Sequence, residues 1–211
     1  MSANTLAALA PFLDDFSPEP SGSVIARERG EVLGLTPVSG NTAATLTVLA
    51  KAVGAKSVVE IGTGTGVSAL ALLAGMPADG VLTSIDPEQE YQLVAREVLT
   101  REGVAPRRFR LIVGLPLNVL PNLADGSYDL LFVNGDPLEF VEYVEQAQRL
   151  LRSGGLLVLN HALWQGKVPD LRNDEDEPII IREALEAVGR SDDFTAALLP
   201  VGDGLLVAVK G

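Results

Sequence analysis

The chain lacks cysteine entirely and is short of basic residues, and both shortages exclude classes of function. Without cysteine there is no disulfide framework, no thiolate metal site and no cysteine nucleophile. The 16 Lys and Arg residues against 28 Asp and Glu give a formal net charge of −12. This charge argues against non-specific binding to nucleic acid or to an anionic membrane, and leaves room only for a local basic patch, for example Arg107, Arg108 and Arg110.

Two further absences concern location. No apolar run approaches the about 20 residues that a membrane span needs. Residues 1–10 contain no Lys or Arg, so they lack the basic segment of a signal peptide. We therefore expect a soluble, cytoplasmic protein, and 211 residues that are 47% hydrophobic suffice for one domain with a full core.

From residue 57 onward the pattern alternates between strands and helices. Predicted strands cover 57–61, 81–86, 109–113, 128–134 and 155–159, and predicted helices cover 67–75, 88–102, 116–121, 138–151 and 178–189. Such alternation is typical of a parallel sheet with helices on both faces. The last two strands, 194–199 and 205–209, are joined by a short turn and must be antiparallel. The sequence predicts an α/β fold with a mostly parallel, seven-stranded sheet ending in an antiparallel hairpin.

The first 55 residues contain mainly helical patterns, over 3–13, 24–33 and 40–53. Ser39 is placed to cap the third of these helices. We expect residues 1–55 to form a helical appendage on the core domain, residues 56–211, where it packs on the sheet, closes the ligand site or makes a dimer contact.

A glycine turn follows the first predicted strand, in the sequence Glu60-Ile61-Gly62-Thr63-Gly64-Thr65-Gly66-Val67-Ser68. Glycines allow a sharp turn and close approach of a ligand. A dinucleotide fingerprint would need a third glycine at Val67, and its pyrophosphate would meet the Glu60 carboxylate. Glu60 suits a cationic ligand without phosphate, and S-adenosylmethionine (SAM) carries an ammonium and a sulfonium.

Further polar residues follow the other predicted strands, where ligands bind in open parallel sheets. Asp86 could accept hydrogen bonds from ribose hydroxyls, or it could merely cap the next helix beside Pro87. Leu115 lies in an apolar turn that could contact adenine.

The last two parallel strands should bring Asn134, Asp136, Asn160 and His161 together at the reacting end of such a ligand. His161 is the sole histidine, and a lone histidine is often structural. Trp164 could form the wall of an aromatic acceptor pocket or simply cover the core. A serine hydrolase is disfavoured because no Gly-x-Ser-x-Gly elbow is present.

These motifs together resemble the class I O-methyltransferases of the catechol and caffeoyl-CoA type, in the small bacterial branch. The resemblance runs from about Thr36 to the C-terminus. It is carried by residues 36–40, 59–70, 84–87, 128–136, 163–168 and 202–205. It implies a Rossmann-like methyltransferase fold and a SAM site formed by Val38, Glu60, Gly62, Thr63, Gly64, Ser68, Asp86, Pro87, Leu115 and Asp136. Tyr143 falls on a substrate-contacting position of the plant members.

The departures from the family concern its divalent metal. The family holds the metal with an Asp at the position of Asn134 and an Asp-Asn pair at Asn160-His161, and it places a lysine at Pro137. Neutral amides are poor substitutes, because Mg²⁺ prefers charged oxygen ligands. The resemblance therefore implies SAM binding, while a metal is doubtful.

We interpret the sequence as an O-methyltransferase that is metal-independent or weakly metal-dependent and acts on a small phenol-like or catechol-like acceptor. His161 would be the general base, with Asn134, Asp136 or Asn160 orienting the acceptor, and Asn134, Tyr143 and Trp164 contacting it. A homodimer is expected.

Three alternatives stay open. The protein could bind SAM without transferring its methyl group, or it could methylate tRNA, which the negative charge disfavours. An NAD-dependent oxidoreductase is disfavoured by Glu60 and by the missing third glycine.

Overall fold

A computed structural model describes residues 12, 13 and 15–211. The predicted helix over residues 3–13 therefore lies almost wholly outside the described residues. In the part of the chain that is described, no helix is long and apolar enough to cross a membrane.

The described residues alternate between helices and strands, as the sequence predicts. The helices are α1 (Ser21–Val32), α2 (Gly40–Ala52), α3 (Val67–Gly75), α4 (Gln89–Arg101), α5 (Pro116–Val119), α6 (Phe140–Leu150) and α7 (Asp176–Arg190). The strands are β1 (Ser57–Ile61), β2 (Val81–Asp86), β3 (Phe109–Val113), β4 (Tyr128–Val133), β5 (Leu151–Leu159), β6 (Phe194–Leu199) and β7 (Leu205–Lys210).

The strands form one seven-stranded sheet in the order β3-β2-β1-β4-β5-β7-β6. Strands β1 to β5 are parallel, and β7 runs antiparallel to both β5 and β6. The predicted sheet and its C-terminal hairpin are therefore confirmed. Chain order reverses at β1, which lies between β2 and β4, and an open sheet binds its ligands at the carboxyl ends beside such a point.

Helices cover both faces of the sheet, which explains why its central strands are apolar without alternation. In β1, Val58 packs in one hydrophobic cluster with α1 to α4, and Val59 packs in the other with α6 and α7. Both side chains are completely buried. Helices thus close both faces of the central strands, and the ligand site lies at the strand ends, whereas residues 195–198 of the edge strand β6 are exposed.

The N-terminal helices pack against this core and reach the carboxyl end of β1. The Ser39 hydroxyl accepts a hydrogen bond from the Thr42 amide at 3.1 Å and caps α2. Thr47 donates to the Ala71 carbonyl at 2.8 Å and ties α2 to α3. Thr65 of the glycine turn donates to the Ala26 carbonyl of α1 at 2.6 Å, so α1 is fixed directly beside the turn.

Two boundaries differ from the predicted ones by three residues or more. Strand β5 begins at Leu151, whereas the sequence predicts a strand from residue 155. The first residues of β5 pair with β4 across a register irregularity between Tyr128 and Leu130, and Gly154 there has a φ of 74°. Helix α1 begins at Ser21, directly after Pro20, rather than at residue 24.

Candidate active site

A cavity of about 220 Å³ lies at the carboxyl ends of β1 and β4, where the strand order reverses. The glycine turn after β1 forms one wall, and residues 35–38, which we call the strap, form another. The residues lining it are Leu35, Thr36, Pro37, Val38, Gly62, Thr63, Gly64, Thr65, Val67, Ser68, Asp86, Tyr91, Asn134, Gly135, Pro137, His161 and Trp164. The predicted positions Val38, Gly62, Thr63, Gly64, Ser68 and Asp86 are therefore brought together.

Glycine is required at the first position of the turn. Gly62 has a φ of 86°, and a Cβ there would lie 2.2 Å from the backbone oxygen of Asn134. The Gly62 amide donates to the Ile85 carbonyl at 2.8 Å, which holds the turn against the end of β2. The turn thus passes between two strand ends with no space for a side chain.

Glu60 is completely buried behind this turn. One carboxylate oxygen, Oε2, accepts a hydrogen bond from Ser84, while Oε1 has no hydrogen-bond partner among the described residues. Burial raises the pKa of Glu60 to about 7, although the hydroxyls of Ser68 and Ser84 favour the ionised form. A buried carboxylate oxygen without a partner is costly, and an ammonium is the partner that suits it.

Asp86 bonds to the backbone on both sides of the cavity edge and also faces the cavity. Its carboxylate accepts from the amides of Gly64 and Glu88, each at 2.9 Å, so it stabilises the glycine turn and the approach to α4. The same side chain lines the cavity, and burial raises its pKa.

Arg27 of α1 holds the strap in place. Its guanidinium donates to the carbonyls of Pro37 at 3.3 Å and Val38 at 2.7 Å. Glu19 pairs with the same guanidinium through both carboxylate oxygens. The positive charge of Arg27 is therefore neutralised by Glu19.

The opposite wall carries the polar residues that follow β4 and β5. Asn160 is buried, and its amide donates to the Asn134 side-chain oxygen at 2.8 Å. The Asn160 Oδ1 atom has no hydrogen-bond partner within the described part of the chain. The His161 ring lies edge-on to Trp164, with ring centroids 5.8 Å apart, and its Nδ1 lies 3.1 Å from Asp203 Oδ2.

A second cavity, of about 460 Å³, adjoins the first beyond the strap. His161 and the strap line both cavities. Asn160, Asp203, Arg27 and Glu31 line the second cavity and not the first. His161 therefore faces both cavities.

The comparisons with known proteins agree with this geometry. The model of the family described as O-methyltransferase matches residues 28–211. This chain belongs to the O-methyltransferase family. The recognition made from the sequence is thereby confirmed.

Individual relatives support the assignment. A Mycobacterium tuberculosis protein named "Probable O-methyltransferase Rv1220c" is 45% identical over 185 residues, which are 88% of this chain and 83% of the relative. A solved structure from Corynebacterium glutamicum is 31% identical with a TM-score of 0.92, and the match covers 98% of this chain and 97% of that one. The O-methyltransferase TomG of Streptomyces achromogenes, solved in complex with SAM, is 25% identical with a TM-score of 0.88 over 96% of each chain.

Five positions that the family resemblance implied do not line either cavity: Glu60, Pro87, Leu115, Asp136 and Tyr143. Pro87, Leu115 and Asp136 are exposed, and the Asp136 carboxylate accepts from the Leu138 amide at 3.0 Å. Tyr143 is completely buried, its hydroxyl donates to Glu139, and burial raises its pKa. A substrate contact is therefore not what this structure shows for Tyr143.

Two of the lining residues do not follow from the sequence patterns above: Tyr91 in the first cavity and Asp203 in the second. Asp203 could have been found from topology. Strand β7 runs antiparallel to β5, with Leu206 opposite Leu159, so the β6–β7 turn must lie beside the carboxyl end of β5. The turn Gly202-Asp203-Gly204 is thereby placed next to His161.

The family's metal positions do not fit a hard divalent cation in this chain. Asn134 and Asn160 bond to each other, and His161 faces Asp203. Nowhere in residues 12, 13 and 15–211 do three or more His, Cys, Asp or Glu side chains form a group that could hold a metal ion. Two neutral amides and an imidazole are not the charged oxygen set that Mg²⁺ prefers.

Proposed function

We propose that this protein transfers the methyl group of SAM to a hydroxyl of a small phenol-like or catechol-like acceptor, with a side chain rather than a metal ion assisting loss of the proton. The observation that carries the proposal is the position of His161 between two adjoining cavities. One cavity has the features expected for the methyl donor, and the other has the polar lining expected for an acceptor.

The first cavity suits a cationic, phosphate-free donor. The Glu60 carboxylate lies behind Thr63 and Ser68, and its unpartnered oxygen would receive the ammonium of SAM. Asp86 would accept from the ribose hydroxyls, and Val38 of the strap would lie over the methionine part. The 25% identical TomG, which contains SAM, has the same fold, and this supports the choice of ligand.

The second cavity suits an acceptor that carries hydrogen-bond donors. The Asn160 Oδ1 atom is buried without a described partner, and the acceptor would supply an O–H or N–H there. Because Arg27 is paired with Glu19, the charges of Glu31 and Asp203 dominate this cavity and disfavour an anionic acceptor. Trp164, beside His161, would contact an aromatic acceptor at the junction.

For methyl transfer, the protein must align the methyl donor with the acceptor hydroxyl and must remove one proton from that hydroxyl. The sulfonium supplies an activated methyl group. His161 would take the hydroxyl proton as the new O–C bond forms and the C–S bond breaks. An imidazole suits this step near neutral pH.

His161→Gln is therefore expected to lower kcat by about 100-fold or more, because general-base catalysis contributes about 10²–10⁴. The affinity for S-adenosylhomocysteine should change little, since the variant keeps the glycine turn and Asp86. Transfer of a labelled methyl group to a library of phenols and catechols measures kcat, and calorimetry measures the affinity. Unchanged turnover in the variant would remove His161 from the mechanism.

The same assay separates the other candidate functions. Tight binding of SAM with no product from any hydroxylated compound would favour a SAM-binding protein without transfer. Methylation of tRNA alone would favour the nucleic-acid function. Homodimer formation and a cytoplasmic location stay predictions.

A further inference from the structure

We propose that Asp203 is the positioning residue for His161, which it holds in one orientation and one tautomer with the Nε2 lone pair free for the acceptor. This inference rests on the proposed function, in which His161 takes the acceptor proton. It adds a residue from the β6–β7 turn to a site that is otherwise formed by the ends of the parallel strands.

The Asp203 carboxylate makes two contacts, one from each oxygen. Oδ2 lies 3.1 Å from His161 Nδ1, and Oδ1 accepts from the backbone amide of Gln165 at 2.6 Å. One side chain thus fixes both the imidazole and the loop that carries it.

The backbone of the turn is fixed against the same loop. The Ala162 amide donates to the Gly204 carbonyl at 3.1 Å, and the Leu163 amide donates to the Asp203 carbonyl at 2.9 Å. A Cβ at Gly204, whose φ is 88°, would lie 2.7 Å from the Leu163 backbone nitrogen. The turn and the loop therefore pack with no space between them, and the Asp203 backbone cannot move away from the His161 loop without separating the two.

The loop itself is held in an uncommon conformation. His161, Trp164 and Gln165 all have positive φ, at 58°, 45° and 55°. Such residues cost free energy and persist only where the surroundings impose them. The bond from Gln165 to Asp203 is one of the contacts that impose this conformation, which turns the His161 ring toward both cavities.

The chemistry of the contact sets the tautomer. An ionised carboxylate can only accept hydrogen bonds, so Nδ1 must carry the hydrogen and Nε2 keeps its lone pair. The same carboxylate stabilises the imidazolium that forms when Nε2 takes a proton. Of the charged residues lining the second cavity, only Asp203 makes a described hydrogen bond to the ring, since Arg27 pairs with Glu19 and Glu31 is not bonded to it.

The test uses the fact that the chain has one histidine. In protein labelled with ¹⁵N-histidine and made without a histidine tag, NMR of the imidazole nitrogens reports the tautomer of His161 alone. The neutral ring of the wild type is expected in the Nδ1–H form. A wild-type ring in the Nε2–H form would overturn the proposal, and this measurement needs no variant.

Two substitutions extend the test to catalysis. Asp203→Asn is expected to shift the ring toward the Nε2–H form and to lower kcat by about 10- to 100-fold, with the KM for SAM within about twofold. Asp203→Glu should restore part of kcat and the original tautomer. Asp192→Asn, the matched control, makes the same chemical change at an exposed position that lines neither cavity, and it should change neither quantity.

The outcomes distinguish the two proposals. Loss of turnover in His161→Gln, together with an unchanged tautomer and kcat in Asp203→Asn, would overturn the role of Asp203 alone. Unchanged turnover in His161→Gln would overturn the general base, and the tautomer of the wild type and of Asp203→Asn would still decide whether Asp203 orients the ring.

Discussion

Gly62→Ala is expected to be among the most damaging single substitutions, lowering the free energy of unfolding by about 3 kcal/mol or more. Its new Cβ would lie 2.2 Å from the Asn134 backbone oxygen, and its φ of 86° is unfavourable for any residue with a Cβ. The chain can relieve this clash only by separating the glycine turn from the end of β4. That movement would also displace Asn134 and open the cavity, so binding of S-adenosylhomocysteine should be lost as well.

Gly64→Ala is the matched control for this experiment. Gly64 lies two positions further along the same turn, has a φ of 48°, and a Cβ there would meet only Leu35 Cδ1 at 3.6 Å. We expect a loss of about 1–2 kcal/mol, which is the cost of the left-handed conformation. Urea unfolding of both variants measures the difference. Equal losses in the two variants would show that the contact between the turn and β4 does not set the stability.

Glu60→Gln is expected to weaken SAM binding by about 10- to 100-fold while making the free protein less sensitive to pH. The affinity should fall because a hydrogen bond between charged groups is worth about 1.5–3 kcal/mol, and glutamine keeps the shape without the charge. Glu90→Gln, at an exposed position of α4, is the control and should bind SAM normally. Calorimetry measures both affinities.

The effect of Glu60 on stability has a defined direction. Burial raises its pKa from 4.5 to about 7, so the folded protein without ligand keeps this proton at a pH where the unfolded chain has lost it. The contribution of Glu60 to the free energy of unfolding therefore falls as the pH rises from about 4.5 to about 7, and stays constant above that. Thermal unfolding at pH 5 and pH 8 should show a smaller decrease for Glu60→Gln than for the wild type.

Binding of SAM should depend on pH in the opposite sense. Below pH 7 the free protein must lose the Glu60 proton before it can bind an ammonium, so the affinity should fall by up to about tenfold per pH unit. An equal pH dependence in Glu60→Gln would show that another group is responsible.

The fold could be predicted because its signals are local. Val58, Val59 and Ile61 form an apolar strand that only Glu60 interrupts, and the glycines after it mark the turn, so β1 and the cofactor side of the site follow from neighbouring residues. The short turn between β6 and β7 likewise required an antiparallel hairpin. These features depend on the spacing of apolar residues and on the residue types in the turns, and both can be read from a single sequence.

The features that could not be predicted depend on contacts between segments that are distant in the sequence. The pairing of His161 with Asp203 follows from the register of β5 on β7, which the sequence does not display. The family resemblance places Tyr143 at a substrate-contacting position. Helix α6 instead turns its side chain into the core, where the Glu139 carboxylate accepts a hydrogen bond from the Tyr143 hydroxyl. The beginning of β5 was missed because Gly154 interrupts the apolar pattern before the pairing with β4 becomes regular.

An assay of metal-stripped protein decides whether a side chain or a metal ion assists methyl transfer from SAM. The enzyme would be treated with EDTA, passed into metal-free buffer, and given labelled SAM with an accepted phenol or catechol. Turnover should remain at its untreated level and should change by less than about twofold when Mg²⁺ is returned, because Asn134, Asn160 and His161 are not the ligands that Mg²⁺ prefers. Turnover that falls to background after EDTA and returns with Mg²⁺ would show instead that a metal ion assists the transfer.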